Sequence, residues 1–243
     1  MIWNYFDQAY FMNLDSRPDR KVLFEERAKQ AGIHNPLRCP SPCVTRSYEE
    51  VDALVGGVAN TPTDDTRHLK ISSSLSHYAC IQDAKEHGYE QVLIFEDDAV
   101  FESNCESLMA PYVEELKTVK DWDLLYFGGS PDPTFHNIGV AYKETEHLWN
   151  CPVVWCIHAY AISHRFYDKI LNTNPAHIYP MDMNYIHYPP TQRKYLITNR
   201  LLVTQDDDSV SDVWGRKMPR NDVFKKNYNI VFGTKYAEHG ELL

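Results

Sequence analysis

Residues 92–98 read Val-Leu-Ile-Phe-Glu-Asp-Asp, an apolar run that ends in three consecutive carboxylates, Glu96, Asp97 and Asp98. Adjacent ionised carboxylates repel one another unless a cation or solvent relieves them. Hard oxygen donors of this kind suit Mg2+ or Mn2+, which then bridge substrate phosphates. A solvated acidic turn is the competing reading of the triplet taken alone. Residues 13–20 read Asn-Leu-Asp-Ser-Arg-Pro-Asp-Arg. There Arg17 and Arg20 either meet a phosphate near a helix start or serve as capping and surface charges. The pair Ser76-His77 follows the serine run 72–74 and is either part of a site or an ordinary helix start.

The elements that hold these groups alternate between strand and helix. Residues 9–14 read as a strand. Ser16-x-x-Asp19 then reads as a capping box with an early proline, Pro18, opening a helix that runs to about Gly32. Residues 34–70 hold several prolines and Gly56-Gly57, and read as a long irregular connection with one short helix. Residues 72–87 read as a helix closed by Gly88, and 91–95 as a strand buried on both faces. Cys105, Leu108, Met109, Tyr112, Val113 and Leu116 recur at helical spacing over 105–119. Residues 123–129 read as a strand ending in a glycine turn, 153–162 as a strand, 164–171 as a helix and 196–203 as the last strand. From 209 the chain is polar and aromatic, with a mild basic cluster of Arg216, Lys217, Arg220, Lys225 and Lys226. The alternation predicts one α/β domain around a mostly parallel sheet. The carboxyl ends of its strands, Glu96 to Asp98 among them, would line a ligand crevice.

Composition narrows the function. The chain of 243 residues is long enough to bury a large core, and 24 basic against 34 acidic residues leave a formal charge of -10. That balance argues against nucleic acid or an anionic membrane as the main partner. A phosphate-bearing ligand stays open, because a metal ion supplies positive charge locally. The N-terminal stretch lacks a basic start and is interrupted by Asp7 and Gln8, so it does not read as a signal peptide, and no apolar run reaches transmembrane length. The six cysteines at 39, 43, 80, 105, 151 and 156 read as buried free thiols, with a disulfide or a metal as the alternative. Free thiols fit a reducing compartment. No GxxxxGK loop is present, which counts against an NTPase.

In chain order, several segments resemble glycosyltransferase family 25, which includes bacterial lipooligosaccharide galactosyltransferases and collagen hydroxylysine galactosyltransferases. FMNLDSRPDRK resembles the family's opening NLxxRxDR segment. SSSLSHYACIQDAKEHGYEQVLIFEDDAVF resembles its serine-histidine helix and LEDD metal strand. WDLLYFGG is similar to its next strand, HAYAISHRFYDKIL to its AYxxS strand and helix, and LLVTQDDDSVSD to its closing Q…S-D element. The resemblance covers about residues 9–212. Lys70-Ile-Ser-Ser-Ser stands where the family often has a glycine-rich stretch, and Arg200-Leu-Leu-Val-Thr where it has prolines.

The resemblance implies a GT-A type fold, with one glycosyltransferase domain over 1–243 and a C-terminal extension from 213. It implies Mn2+ or Mg2+ and a UDP-sugar donor, from which galactose or glucose passes with inversion to a hydroxyl of a carbohydrate or hydroxylated protein. Glu96-x-Asp98 maps onto the D-x-D pattern of such folds: Asp98 as direct metal ligand, Glu96 on the metal or ribose, Asp97 on the donor. Asn13, Leu14, Arg17, Arg20, Ser76, His77 and Gln205 fall on the donor-binding motifs, and Ser211 and Asp212 on the closing element. Asp182 is either the general base or a surface-loop acid next to Pro180. His158 and His164 are either further metal ligands or satisfied structural histidines. Trp149, Trp155 and Trp214 either stack on a sugar or fill the core. A transferase-like module without catalysis and a metal-dependent phosphoryl-transfer enzyme are the alternatives. The missing leader favours a cytoplasmic enzyme of bacterial or viral type over one of the animal secretory pathway.

Overall fold

The structure, a computed structural model, describes residues 2–40, 43–44, 46–55, 66–134, 139–173 and 178–233. The chain opens with β1 (Gln8–Met12), α1 (Pro18–Gln30), β2 (Leu37–Arg38), α2 (Tyr48–Val55) and α3 (Arg67–Glu86). The elements β3 (Gln91–Glu96), β4 (Ala99–Phe101), α4 (Cys105–Leu116), β5 (Leu124–Tyr126) and β6 (Ser130–Pro131) follow. Next come β7 (Tyr142–Lys143), β8 (Leu148–Asn150), β9 (Val154–Trp155), β10 (Ala159–Ser163), α5 (His164–Leu171) and α6 (Met181–His187). The last elements are β11 (Tyr195–Thr198), β12 (Val203–Gln205) and α7 (Asn221–Phe232).

The main sheet has eight strands in the order β2-β1-β3-β10-β5-β11-β8-β7. Strands β1, β2, β3, β5, β7 and β11 run one way, and β8 and β10 the other. The sheet is therefore mixed but mostly parallel, as expected, with an antiparallel β10 at its centre. Its inner strands β3, β10, β5 and β11 are largely apolar and buried, as suits strands covered on both faces, whereas the edge strands β2 and β7 are more exposed. Tyr10, Met12, Val92, Ile94, Tyr160 and Ile162 face one core, with Cys80, Ile81 and Ala84 of α3 and Phe166 of α5. Their neighbours Ala9, Phe11, Leu93, Phe95, Ala159 and Ala161 face the other, with Phe24 and Ala28 of α1 and Met109 and Val113 of α4. This is the period-2 alternation of a strand resolved into two opposite layers. Phe24 anchors the second layer, stacked 4.7 Å from Phe11 and tilted against Phe95 and Phe101.

Several local expectations are corrected. Ser16 does not cap α1: the N-cap is Arg17 with no side-chain cap bond, and Asp19 binds the Arg17 guanidinium instead. Helix α3 begins at Arg67, so Ser76-His77 lies inside it, on its buried face, and is no helix start. The strand expected over 153–162 breaks into β9 and β10, because Cys156 adopts a left-handed φ of 62° between them. The strand expected over 196–203 is two: β11 in the main sheet, and β12, which pairs with β4. The polar stretch after 209 contains α7, whose Phe224, Tyr228 and Phe232 enter the core. Gly56-Gly57 lies outside the described residues. None of the six cysteines forms a disulfide, and all are buried except for the partly exposed Cys156.

Candidate active site

Parallel pairing brings the carboxyl ends of β1 and β3 together, with Met12 in register with Glu96. The residues that follow each strand, Asn13 on one side and Asp97 and Asp98 on the other, therefore meet at one sheet edge. Antiparallel β10 begins at this same edge, and the Glu96 amide donates to the His158 carbonyl at 2.9 Å. The turn after β3 leads into β4, which pairs with β12 so that Gln205 faces Ala99.

The three acids take different positions. Asp97 is buried and held by protein: Asn13 Nδ2 donates to its Oδ2 at 2.8 Å, and Arg20 Nη1 to its Oδ1 at 3.2 Å. Arg20 also binds Asp212 at 3.1 Å and Ser209 Oγ at 2.5 Å, and donates to the Val210 carbonyl. Arg17 is spent on Asp19 and Asp212. The NLxxRxDR segment thus ties α1, the turn after β3 and the closing S-D element into one knot. Asp98 accepts from Gln205 Nε2 at 3.1 Å on Oδ2, while its Oδ1 is buried with no partner. Glu96 carries no such bond, and its side chain, 30% exposed, faces the crevice.

Two cavities meet at Glu96 and Asp98. One is lined by Asn13, Leu14, Arg20, Ser72, Ser76, Asp97 and Asp212. The other is lined by Lys70, Trp155, Cys156, Asp182, Gln205, Trp214 and Arg220. Ser73, Glu96, Asp98, Ser211 and Val213 border both. Asp182 sits in the first turn of α6, accepting from the Met183 amide at 2.8 Å and the Cys156 amide at 3.5 Å, and opens onto the second cavity.

Charge is strained here. Burial raises the Glu96 acid above the usual carboxylate range, and Asp97 and Asp182 add to it against Arg220 and Arg20. Burial also raises Asp98, reinforced by Glu96 and Asp97. These residues fit a divalent cation, which would give Asp98 Oδ1 the partner it lacks and would offset the charge that burial penalises. Among the described residues, the only His, Cys, Asp or Glu trio with ligand atoms within 4.8 Å of one another lies elsewhere, at Glu115, Glu146 and His147. Glu115 there is already hydrogen-bonded to Thr145 and His147.

His158 and His164 are structural. His158 is fully buried, bonds the Val203 carbonyl at 3.1 Å and stacks on Phe224; burial pushes its pKa down to about 4. His164 bonds the Glu90 carbonyl on the surface. Trp149 packs against Phe232, whereas Trp155 and Trp214 line the second cavity. His77 is wholly buried behind Glu96 and does not line either cavity. Sequence reasoning missed Arg220, which sits just before α7, donates to Cys156 Sγ at 2.8 Å and adds positive charge to the cavity of Glu96 and Asp182. Its only sequence signal was membership of a basic cluster that otherwise points to solvent.

The model of glycosyltransferase family 25 (LPS biosynthesis protein) matches residues 68–184. Over that span the chain is similar to the family. That span holds Ser76, His77, Glu96, Asp97, Asp98 and Asp182. A human protein named inactive glycosyltransferase 25 family member 3 is 37% identical over 144 residues, 51% of this chain and 22% of its own length. A Bos taurus protein named probable inactive glycosyltransferase 25 family member 3 is 29% identical over 130 residues, again 51% and 22%. A glycosyltransferase 25 family member of Aedes aegypti is 28% identical over 127 residues, 49% of this chain and 20% of that protein. The chain thus spans about a fifth of the length of these relatives. A crystal structure of mannose-1-phosphate geranyltransferase from Thermus thermophilus covers 79% of this chain and 73% of its own, with 11% identity and a TM-score of 0.38, too distant to bear on function.

Proposed function

We propose that the chain is a metal-dependent, inverting glycosyltransferase domain. It moves galactose or glucose from a UDP-sugar to a hydroxyl of a carbohydrate or a hydroxylated protein. The observation that carries this reading is the buried, unpartnered Oδ1 of Asp98 beside Glu96, with Asp182 on the wall of the same cavity. When bound, Mn2+ or Mg2+ supplies charge neutralisation for the leaving diphosphate. Glu96 and Asp98 would hold it. The cavity beside Asn13, Leu14 and Ser76 suits the nucleoside, and the cavity beside Trp155, Trp214 and Asp182 suits the sugar and the acceptor. Asp97, Arg17 and Arg20 act by building the wall between α1 and the closing element. Asp182 takes the proton of the acceptor hydroxyl as its oxygen bonds to the anomeric carbon and the bond to the diphosphate breaks.

The names of the human and cattle relatives favour a second reading, a domain that binds a nucleotide sugar without turning it over. One assay separates the two. The protein is incubated with Mn2+ and a panel of UDP-hexoses, and free UDP is measured. Release of UDP from one donor supports the transferase. Donor binding without release supports the second reading, and a protein that binds none of the donors sinks both.

A further inference from the structure

His77 has no solvent exposure. Its Nε2 is buried with no hydrogen-bond partner, and the nearest carboxylate oxygen to it is Glu96 Oε1 at 3.6 Å, beyond a formed hydrogen bond. Behind it runs a chain of hydroxyls. Tyr185 of α6 donates to Tyr160 of β10 at 2.9 Å, which leaves the Tyr160 proton for His77 Nδ1, also at 2.9 Å. An imidazole that accepts at Nδ1 has no proton there and carries its one N–H on Nε2.

We infer that His77 is a positioning residue: Tyr185 and Tyr160 lock it in the Nε2–H tautomer, which aims one N–H at Glu96 and leaves the other carboxylate oxygen for the cavity. The inference rests on the reading of Glu96 as a cation ligand. The relay starts on α6, the helix that carries Asp182, so it also ties the wall of the proposed base to the wall of the proposed metal. Groups behind a metal ligand set its orientation, and their loss commonly costs about 10- to 100-fold in metal affinity.

The test uses the whole chain labelled with 15N-histidine, and the His77 signals, among 11 histidines, are those missing from His77→Gln. Two-bond nitrogen–proton correlations report the tautomer without metal. Wild-type protein should show a protonated Nε2 and a bare Nδ1, and Tyr160→Phe a mixture of tautomers. Calorimetry should then show Mn2+ bound about 10- to 100-fold more weakly by Tyr160→Phe than by wild type. An Nδ1–H tautomer or a charged ring in wild type at neutral pH, with Mn2+ still bound, overturns the inference alone. Unchanged Mn2+ affinity in Tyr160→Phe does the same. Wild-type protein that binds no Mn2+ overturns the functional reading, and with it the purpose given to His77.

Discussion

Asp98 keeps one carboxylate oxygen on Gln205 and the other buried without a partner. Asp98→Asn keeps the shape and removes the charge. The expected result is a folded protein whose Mn2+-dependent UDP release is lost; a variant with normal metal dependence would show that another residue holds the cation. Stability follows from the raised acids. Without metal, folded Glu96 and Asp98 keep protons that the unfolded chain, titrating near about pH 4, has already released. Their contribution is therefore fully present below that range and is lost as pH rises through the raised folded-state values. In EDTA, melting temperature should fall less steeply toward neutral pH for Asp98→Asn than for wild type, and Mn2+ should raise it only for wild type. Identical slopes would mean that Asp98 is not strained in the folded protein.

Between elements, small contacts decide where these groups stand. Gly128 follows β5, and a Cβ there would lie 2.0 Å from the Val203 carbonyl oxygen and 2.7 Å from His158 Nε2. Gly128→Ala must push β12 away, at a cost of about 1–3 kcal/mol by overpacking. Because β12 carries Gln205, weaker Mn2+ binding should accompany the lower unfolding free energy in denaturant; full stability would mean that the strand yields freely. Helix α6 presents Asp182 from its first turn, on the cavity that Glu96 also borders. Asp182→Asn should lower turnover by about 10²-fold or more and leave donor affinity unchanged, the pattern of a lost general base. Loss of donor affinity would assign Asp182 to the sugar instead.

Across the whole molecule, negative charge dominates, with a formal charge of -10. Arg20 and Arg17 are spent on Asp97, Asp19 and Asp212, and Lys70 and Arg220 line only the second cavity, so a diphosphate in the first cavity meets Glu96 and Asp98. Tight UDP binding should therefore require Mn2+ or Mg2+. Equal affinity by calorimetry with Mn2+ and with EDTA would contradict this. The two cavities share Glu96 and Asp98 as their common border, so under the proposed function one cation there would serve both the nucleotide and the sugar. No helix among the described residues is long and apolar enough to cross a membrane.

How much of this was legible depended on the range of the interaction. The apolar strand ending in Glu96, Asp97 and Asp98, the helical spacing over α4 and the order of strand and helix are local patterns, and hydrophobic periodicity reports such patterns directly. They sufficed for the α/β class and for singling out the acidic triplet, of which Glu96 and Asp98 border both cavities. Which acid is spent on the protein and which is left open depends on Asn13, Arg20 and Gln205, from distant parts of the chain. The break at Cys156, the transfer of β12 to β4 and the entry of Arg220 into the cavity likewise depend on long-range packing. The same holds for His77, which reads as a polar residue on a helix until Tyr160 and Tyr185 close behind it. Pairings across many residues leave no periodic trace along the chain, because the energy that selects them arises only when separate elements are brought into contact.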